Sequence, residues 1–531
     1  MATDFDAVVV GSGFGGAVTA CRLAEAGYRL VVLERGRRWN PPGWPGPNPF
    51  PRRPNDPWLW DHGHPERENG WLDLRTFPHM AVAAGCGVGG GSLVYANVSI
   101  DAKESTFRTG WPPEITFAAL QPHYQRVKHM LRSRTLPAGQ WTERTRLVKL
   151  AAERRGLADK FETLDLAVTF DEDWSYGRPD PHGEHHSKRF TNDHGRTQGT
   201  CVHLGNCDIG CDVNARNSLD LNYLARAETL GTDVRPLHLV RGIGPIDGGY
   251  RLWFDRIHNG ALVPDAVTAR IVVLAAGSLG STELLLRCRD QHGTLPNLSP
   301  VLGRNWSSNG DFLTPAIHPT VPLASRKVVN PTRGPTITAA VNLLETPEQS
   351  FIEDGGLPDI AGEYLRSLVE DGTAHSVVDA LVRTVRVILS APGMEDHVMP
   401  WFAQGRDAAN GVLSLQGGKL FLDWDVAKSK ETIDGIVHTH QRFAAATGGI
   451  PVVPLTWTIT RALITPHPLG GCGLGRDATN GVVDHTGEVF GYRNLYVADG
   501  AIVPKAIGLN PSKTIAALAE RIAAIIVDEK R

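Results

Sequence analysis

Phe5-Asp6-Ala7-Val8-Val9-Val10-Gly11-Ser12-Gly13-Phe14-Gly15-Gly16 carries an apolar run directly into a turn almost free of side chains. Small apolar residues then recur at Ala17, Ala20, Cys21 and Ala24 with the spacing of a buried helix face, which Gly27 closes. A second apolar run, Leu30-Val31-Val32-Leu33, ends at Glu34. Strand, tight turn, helix and strand within about thirty residues make the smallest nucleotide-binding unit. Gly11, Gly13 and Gly16 permit the turn and let backbone N–H groups approach a pyrophosphate at the positive end of the helix. Glu34 stands where a carboxylate accepts hydrogen bonds from a ribose diol, which disfavours a 2′-phosphate.

Two more glycine-rich elements lie far from the first. Gly85-Cys86-Gly87-Val88-Gly89-Gly90-Gly91-Ser92 sits between the apolar flanks Met80-Ala81-Val82 and Leu93-Val94-Tyr95, which predicts a buried backbone lying against a flat ligand. Leu495-Tyr496-Val497-Ala498-Asp499-Gly500 reads as a strand that ends in an acid and a glycine. Three contact elements suit an extended dinucleotide such as FAD better than NAD. Between them, Ile271-Val272-Val273-Leu274 predicts a strand followed by a helix, and Leu420-Phe421-Leu422-Asp423-Trp424 another strand. The prolines over 40–74 argue against helix or a central strand, so the stretch reads as a long irregular excursion, either covering a bound cofactor or forming a surface loop with packed tryptophans.

Bulk properties narrow the class. The 531 residues carry a net charge of −3, so no excess of cations draws the chain to nucleic acid. No apolar run reaches the roughly 20 residues of a membrane span. Seven cysteines, an odd number in a long chain, argue against a disulfide framework. The first strand begins so close to Met1 that no secretory signal is expected, which predicts a cytoplasmic protein.

These motifs resemble the glucose–methanol–choline (GMC) family of flavin oxidoreductases, and within it the cholesterol oxidase branch. The resemblance rests on the first turn, on Gly87 to Val94, and on Val273 to Glu283. His467-Pro468-Leu469-Gly470-Gly471-Cys472, Tyr492 to Gly500 and Gly508-Leu509-Asn510-Pro511 extend it. Residues 100–200 and 320–450 match only faintly. The resemblance implies an α/β fold: a Rossmann-like FAD domain from discontinuous segments (1–110, 200–312 and 455–531). An α+β substrate domain (111–199 and 313–454) would add a mixed sheet with helices on one side. To FAD it assigns Gly11, Gly13, Phe14, Gly15, Gly16, Glu34, Arg35, Gly87, Gly90, Gly91, Ser92 and Asn97. Ala276, Gly277, Asp499, Gly500, Asn510 and Pro511 complete that set.

Oxidising an alcohol requires a base or hydrogen-bond acceptor at the hydroxyl. The resemblance places His467 there, with Asn510 facing substrate and cofactor. Read without it, Asn510 is the N-cap of a helix that starts at Pro511 and carries Ile515, Leu518, Ile522 and Ile525 on its core face. Glu353, in Phe351-Ile352-Glu353-Asp354, corresponds to a glutamate that supports isomerisation of the initial ketone; its bland alternative is a solvated acid beside Asp354.

The expected substrate is a secondary alcohol on a bulky apolar molecule, a sterol or steroid, with oxygen or another acceptor taking the electrons. Cys201, Cys207 and Cys211 admit a rival: a dehydrogenase of a sugar or other alcohol, with an iron–sulfur cluster in place of packed thiols. A redox-neutral lyase on the same fold is a second rival. His182, His185, His186 and His194 lack metal-ligand spacing, so no metal is expected.

Overall fold

The computed structural model describes residues 3–39, 50, 56–318, 328–358, 394–454 and 456–529. Strand β1 (Phe5–Val10) runs into helix α1 (Phe14–Glu25) and then into strand β2 (Leu30–Leu33), as the opening sequence predicts. β1 and β2 are buried on both faces, which is why they read as continuous apolar runs rather than alternating ones.

β1 is central in a seven-stranded sheet. On one side it pairs in parallel with β2, and β2 with Asp233–Arg235. On the other it pairs in parallel with the C-terminal part of Ala261–Leu274, Val9 lying opposite Val273. The same segment pairs with Leu495–Val497, Val273 opposite Tyr496. Its N-terminal part turns back into an antiparallel meander with Gly249–His258 and His238–Ile246. Strands from both ends of the chain therefore release their C-terminal turns at one edge, the position at which open α/β sheets bind ligands.

The last helix, Ser512–Asp528, packs against α1 and against Phe117–Leu131. Arg22 of α1 forms a 2.8 Å ion pair with the fully buried Glu520, and the Tyr223 hydroxyl donates to the same carboxylate at 2.7 Å. The termini are thus locked together through the core.

A second sheet has six strands in the order Ile450–Pro451, Phe312–Ile317, Val398–Gly405, Ser350–Asp354, Ala339–Leu343 and Phe161–Thr163. The sequence reading expects a mixed sheet; every pairing here is antiparallel, because neighbouring strands run back and forth across it. Helices Glu143–Arg154 and Lys430–Ala446 pack against each other and against this sheet. Its strands are set by buried ties: Arg144 and Asp354, both fully enclosed, pair at 3.1 Å, and Asp354 also accepts from the Thr338 and Ala339 amides.

A three-stranded sheet of Leu72–Phe77, Met80–Gly85 and Leu463–Thr465 completes the frame. Residues 40–49 and 51–55 of the proline-rich excursion lie outside the described residues. Its described part is irregular, contributes Trp58, Trp60 and Trp71 to a cavity wall, and gives way to a strand at Leu72. Among the described residues, no helix is long and apolar enough to cross a membrane.

Candidate active site

One cavity of about 1260 Å³ runs between the two large sheets. It exceeds the 300–1,000 Å³ usual for a small-molecule pocket, as a site shared by a dinucleotide and a substrate must. Its first end is built from the three glycine-rich turns. Gly11 N–H donates to the Leu33 carbonyl, Ala275 N–H to Val10, and Ala498 N–H to Leu274, so the three turns that leave the large sheet here are each fixed to a neighbouring strand.

Gly15 shows why these turns carry no side chains. A Cβ there would lie 1.9 Å from the Ala498 carbonyl oxygen, so α1 reaches the third turn only through glycine. Gly90, with φ +52°, packs on Gly13; a Cβ on Gly90 would sit 2.5 Å from the Gly13 Cα. The first two glycine runs therefore lie on each other, and one face of the pair is left for a ligand.

Gly11, Gly13, Phe14, Gly15, Glu34, Arg35, Gly90 and Gly91 all line the cavity, as do Ala276, Gly277, Asp499, Gly500, Asn510 and Pro511. Gly16, Gly87 and Ser92 do not. Gly16 lets α1 close on Gly11, Gly87 abuts Trp39, and the Ser92 hydroxyl donates to Gly89 while accepting from Leu219 N–H. Their work is to shape the turns.

Glu34 closes the first turn itself. Ser12 donates to Oε2 through its N–H at 3.0 Å and its hydroxyl at 2.6 Å, and Gly36 N–H donates to Oε1 at 2.9 Å. Oε1, with one donor, keeps a further acceptor site. Arg35 is held by Asp73 at 2.6 Å and lies 5.0 Å from the Trp60 ring centre. Asp499 ties the other turns together, accepting from Gly277 N–H, the Ser281 hydroxyl and Ala501 N–H; burial pushes its carboxyl up to about 6.

Asn97, the remaining residue expected at FAD, stands apart from this surface. It is fully buried, holds φ +64°, and among the described residues neither its amide nitrogen nor its amide oxygen has a partner. Asn97 is absent from the cavity lining, so the expected contact between its amide and FAD is not seen in this geometry. With the bare Gly13–Gly90 face and the positive end of α1, the donor set fits an extended dinucleotide.

The second end of the cavity carries the reactive side chains. Thr465-Pro466-His467 leaves the short strand Leu463–Thr465, and His467 N–H donates to the Thr465 hydroxyl at 2.9 Å. Nδ1 of His467 lies 2.9 and 3.0 Å from the two oxygens of buried Asp311, which also accepts from Thr465 at 2.5 Å. The ring lines the cavity, and among the described residues no hydrogen bond occupies Nε2. Asp311 was not legible in the sequence, since Asn309-Gly310-Asp311-Phe312 has no motif of its own.

Asn510 also lines the cavity, but it is not an N-cap. The helix begins at Ser512 with Pro511 in the capping position and no side-chain cap, because the Asn510 amide turns toward the second sheet. There its Nδ2 lies 3.5 Å from Glu353 Oε2, and its Oδ1 has no partner. Glu353 is fully buried rather than solvated, and Gln404, unremarked in the sequence, donates to the same oxygen at 2.9 Å. Burial raises the Glu353 carboxyl well above the usual range, reinforced by the neighbouring Asp354. Glu353 itself stands behind the cavity wall.

The three cysteines behave as packed thiols. Burial raises Cys201 well above its ordinary value and Cys207 to about 11, and Cys201 and Cys211 accept hydrogen bonds from the His203 and Ala215 amides. No three His, Cys, Asp or Glu side chains converge as a metal site among the described residues.

Residues 421–519 match the family described as GMC oxidoreductase, and residues 9–40 match the NAD(P)-binding Rossmann-like domain. A cholesterol oxidase of Mycobacterium tuberculosis is 32% identical over 99% of this chain and 91% of its own. A cholesterol oxidase of Acinetobacter baumannii is 28% identical over 98% and 93%. The solved structure of pyridoxine 4-oxidase from Mesorbium loti superposes with a TM-score of 0.63 at 16% identity, covering 98% of each chain, which shows a shared fold. Near-full-length similarity together with a Rossmann-like cofactor end leads to one assignment: the chain belongs to the GMC oxidoreductase family and is an FAD-dependent oxidoreductase acting on alcohols.

Proposed function

We propose that this enzyme oxidises a secondary alcohol on a bulky, largely apolar substrate, a sterol or steroid, to the ketone. The observation that carries the reading is the His467–Asp311 pair opening onto a chamber walled by Leu313, Ile337, Leu357 and Phe402. Similarity to cholesterol oxidases supports the same substrate class.

FAD would be held by the glycine-rich turns and Glu34 and would supply the hydride acceptor. Asp311 takes the Nδ1–H of His467, which leaves the Nε2 lone pair facing the chamber. The substrate hydroxyl donates to Nε2 and passes its proton there as the carbon is oxidised. Asp311 then stabilises the imidazolium. If the first ketone isomerises, the group proposed to take the proton from one carbon and return it to another is Glu353 in its ionised form, once its side chain passes the Asn510 contact that separates it from the chamber.

An anaerobic screen tests this, with sterols, hydroxysteroids, sugars and long-chain alcohols mixed with the holoenzyme while the flavin band is followed. Fastest bleaching by a sterol or hydroxysteroid is expected. Faster bleaching by a sugar overturns the substrate class. Failure of every alcohol to bleach the band leaves the redox-neutral lyase.

A further inference from the structure

Helix Gly277–Leu286 carries one wall of the cavity outward from the cofactor turns. Gly277 N–H donates to Asp499, and Gly277, Gly280, Leu284 and Arg287 all line the cavity. That spacing is one helix face, and the residues from Gly277 to Arg287 rise about 15 Å. The facing wall is the three-stranded sheet, which contributes Arg75, Thr76 and Phe77, with Ile464 from the strand that leads to His467. Gly418-Lys419-Leu420, from the hairpin of Val412–Gln416 and Lys419–Asp423, stands at the outer end, Gly418 beside Gln291. Ile464 is 37% exposed and Lys419 is exposed, so this cleft opens to solvent. Neither wall belongs to the six-stranded sheet, which gives Leu313 and Phe402 to the apolar chamber.

The cleft is charged where the chamber is apolar. Arg75 donates to Glu283 at 2.5 Å, joining the two walls, and Arg287 donates to the same carboxylate at 2.6 Å. Arg75 also lies 3.3 Å from Asp73, an acid it shares with Arg35 and His62. Lys419 has no acid partner among the described residues. Along these walls and the hairpin, Arg75, Arg287 and Lys419 therefore face the single carboxylate of Glu283. A cleft with an excess of one sign concentrates ions of the other. A bulky apolar alcohol gains nothing from that field, and neither does neutral dioxygen.

We infer that the cleft beside helix Gly277–Leu286 admits a small anionic electron acceptor to the reduced cofactor, by a route separate from the chamber that takes the alcohol. The inference rests on the flavin oxidoreductase assignment and not on the steroid reading. With ferricyanide as the acceptor the turnover balances. The alcohol becomes its carbonyl product, two ferricyanide ions become two ferrocyanide ions, and two protons are released.

The test uses holoenzyme titrated to full reduction with dithionite under anaerobic conditions, so it holds whichever alcohol is the substrate. Rapid mixing with ferricyanide, or with neutral benzoquinone, follows the return of the flavin band. The chain's net charge of −3 would by itself make the ferricyanide rate rise with salt. The local cations should instead make the ferricyanide-to-benzoquinone rate ratio fall as salt is added. At low ionic strength the ratio should drop about fivefold or more in Lys419→Glu and about threefold or more in Ile464→Glu. Ile450→Glu adds the same charge at a position that is 59% exposed and outside the cavity lining, and should change the ratio far less. Equal ratios in the wild type, Lys419→Glu and Ile464→Glu would overturn the proposal, as would an Ile450→Glu effect matching that of Ile464→Glu. Loss of FAD from both cleft variants would assign these cations to the cofactor and overturn it as well.

Discussion

Both carboxylate oxygens of Asp311 lie within hydrogen-bonding distance of one nitrogen of His467, at 2.9 and 3.0 Å from Nδ1. One ring nitrogen is committed to the protein and the other is left for the substrate. Asp311→Asn keeps the size but removes the charge, and its NH₂ can drive the imidazole to the other tautomer. Flavin reduction should slow by about a thousandfold or more, with bound FAD unchanged by absorbance. His467→Ala should likewise retain FAD and lose most turnover. Full activity in either variant would remove the assigned proton acceptor.

The first turn separates folding from cofactor binding within three residues. Gly15 faces protein, and a Cβ there collides with the Ala498 carbonyl at 1.9 Å. Gly13 faces the cavity, and a Cβ there meets only the Gly90 Cα at 3.8 Å, an ordinary contact. Gly15→Ala should therefore lower Tm steeply and yield little flavoprotein. Gly13→Ala should keep a near-normal apoprotein Tm but bind FAD about tenfold more weakly or worse, since its methyl stands where the backbone approaches pyrophosphate. Flavin-to-protein absorbance and thermal unfolding read the two effects apart; a Gly13→Ala protein with full FAD content would contradict this division.

What the sequence made legible was local. Glycine turns with apolar flanks announce themselves because backbone close approach has a side-chain signature, and His467 stands inside a tightly restricted Pro-His-Pro segment. Partnerships across the fold have no such mark. Asp311 meets His467 over 156 residues, and Asn510 meets Glu353 over 157. The N-cap expected of Asn510 follows from its position before Pro511, and tertiary contact overrides it. The alternative reading of Glu353, a solvated acid beside Asp354, fails because the strand Ser350–Asp354 is buried on both faces, so both acids lie in the core.

Glu353→Gln tests the buried carboxyl through pH. Burial raises its folded-state pKa above the ordinary 4.5, so below that value both folded and unfolded chains hold the proton. As pH rises past it, the unfolded chain loses the proton first while the folded chain keeps it, and stability falls. The glutamine variant lacks this slope. Its Tm advantage over the wild type should grow as pH increases above about 4.5, and a constant difference would count against a raised Glu353. With an unsaturated sterol, the variant should still form ketone but lack the absorbance of a conjugated enone.

Asn510 joins the two halves of the reactive end, lining the cavity while its amide reaches Glu353. Among the described residues its Oδ1 has no partner, so an interaction made only with the reacting complex is available to it. An interaction that strengthens toward the transition state appears in the rate rather than in the affinity. Asn510→Ala should therefore slow flavin reduction by about tenfold to a hundredfold while changing the substrate dissociation constant far less. Rapid-mixing kinetics over a range of substrate concentrations separates the two quantities. Equal losses in both would reduce Asn510 to a binding contact, and an unchanged rate would leave the Asn510–Glu353 contact purely structural.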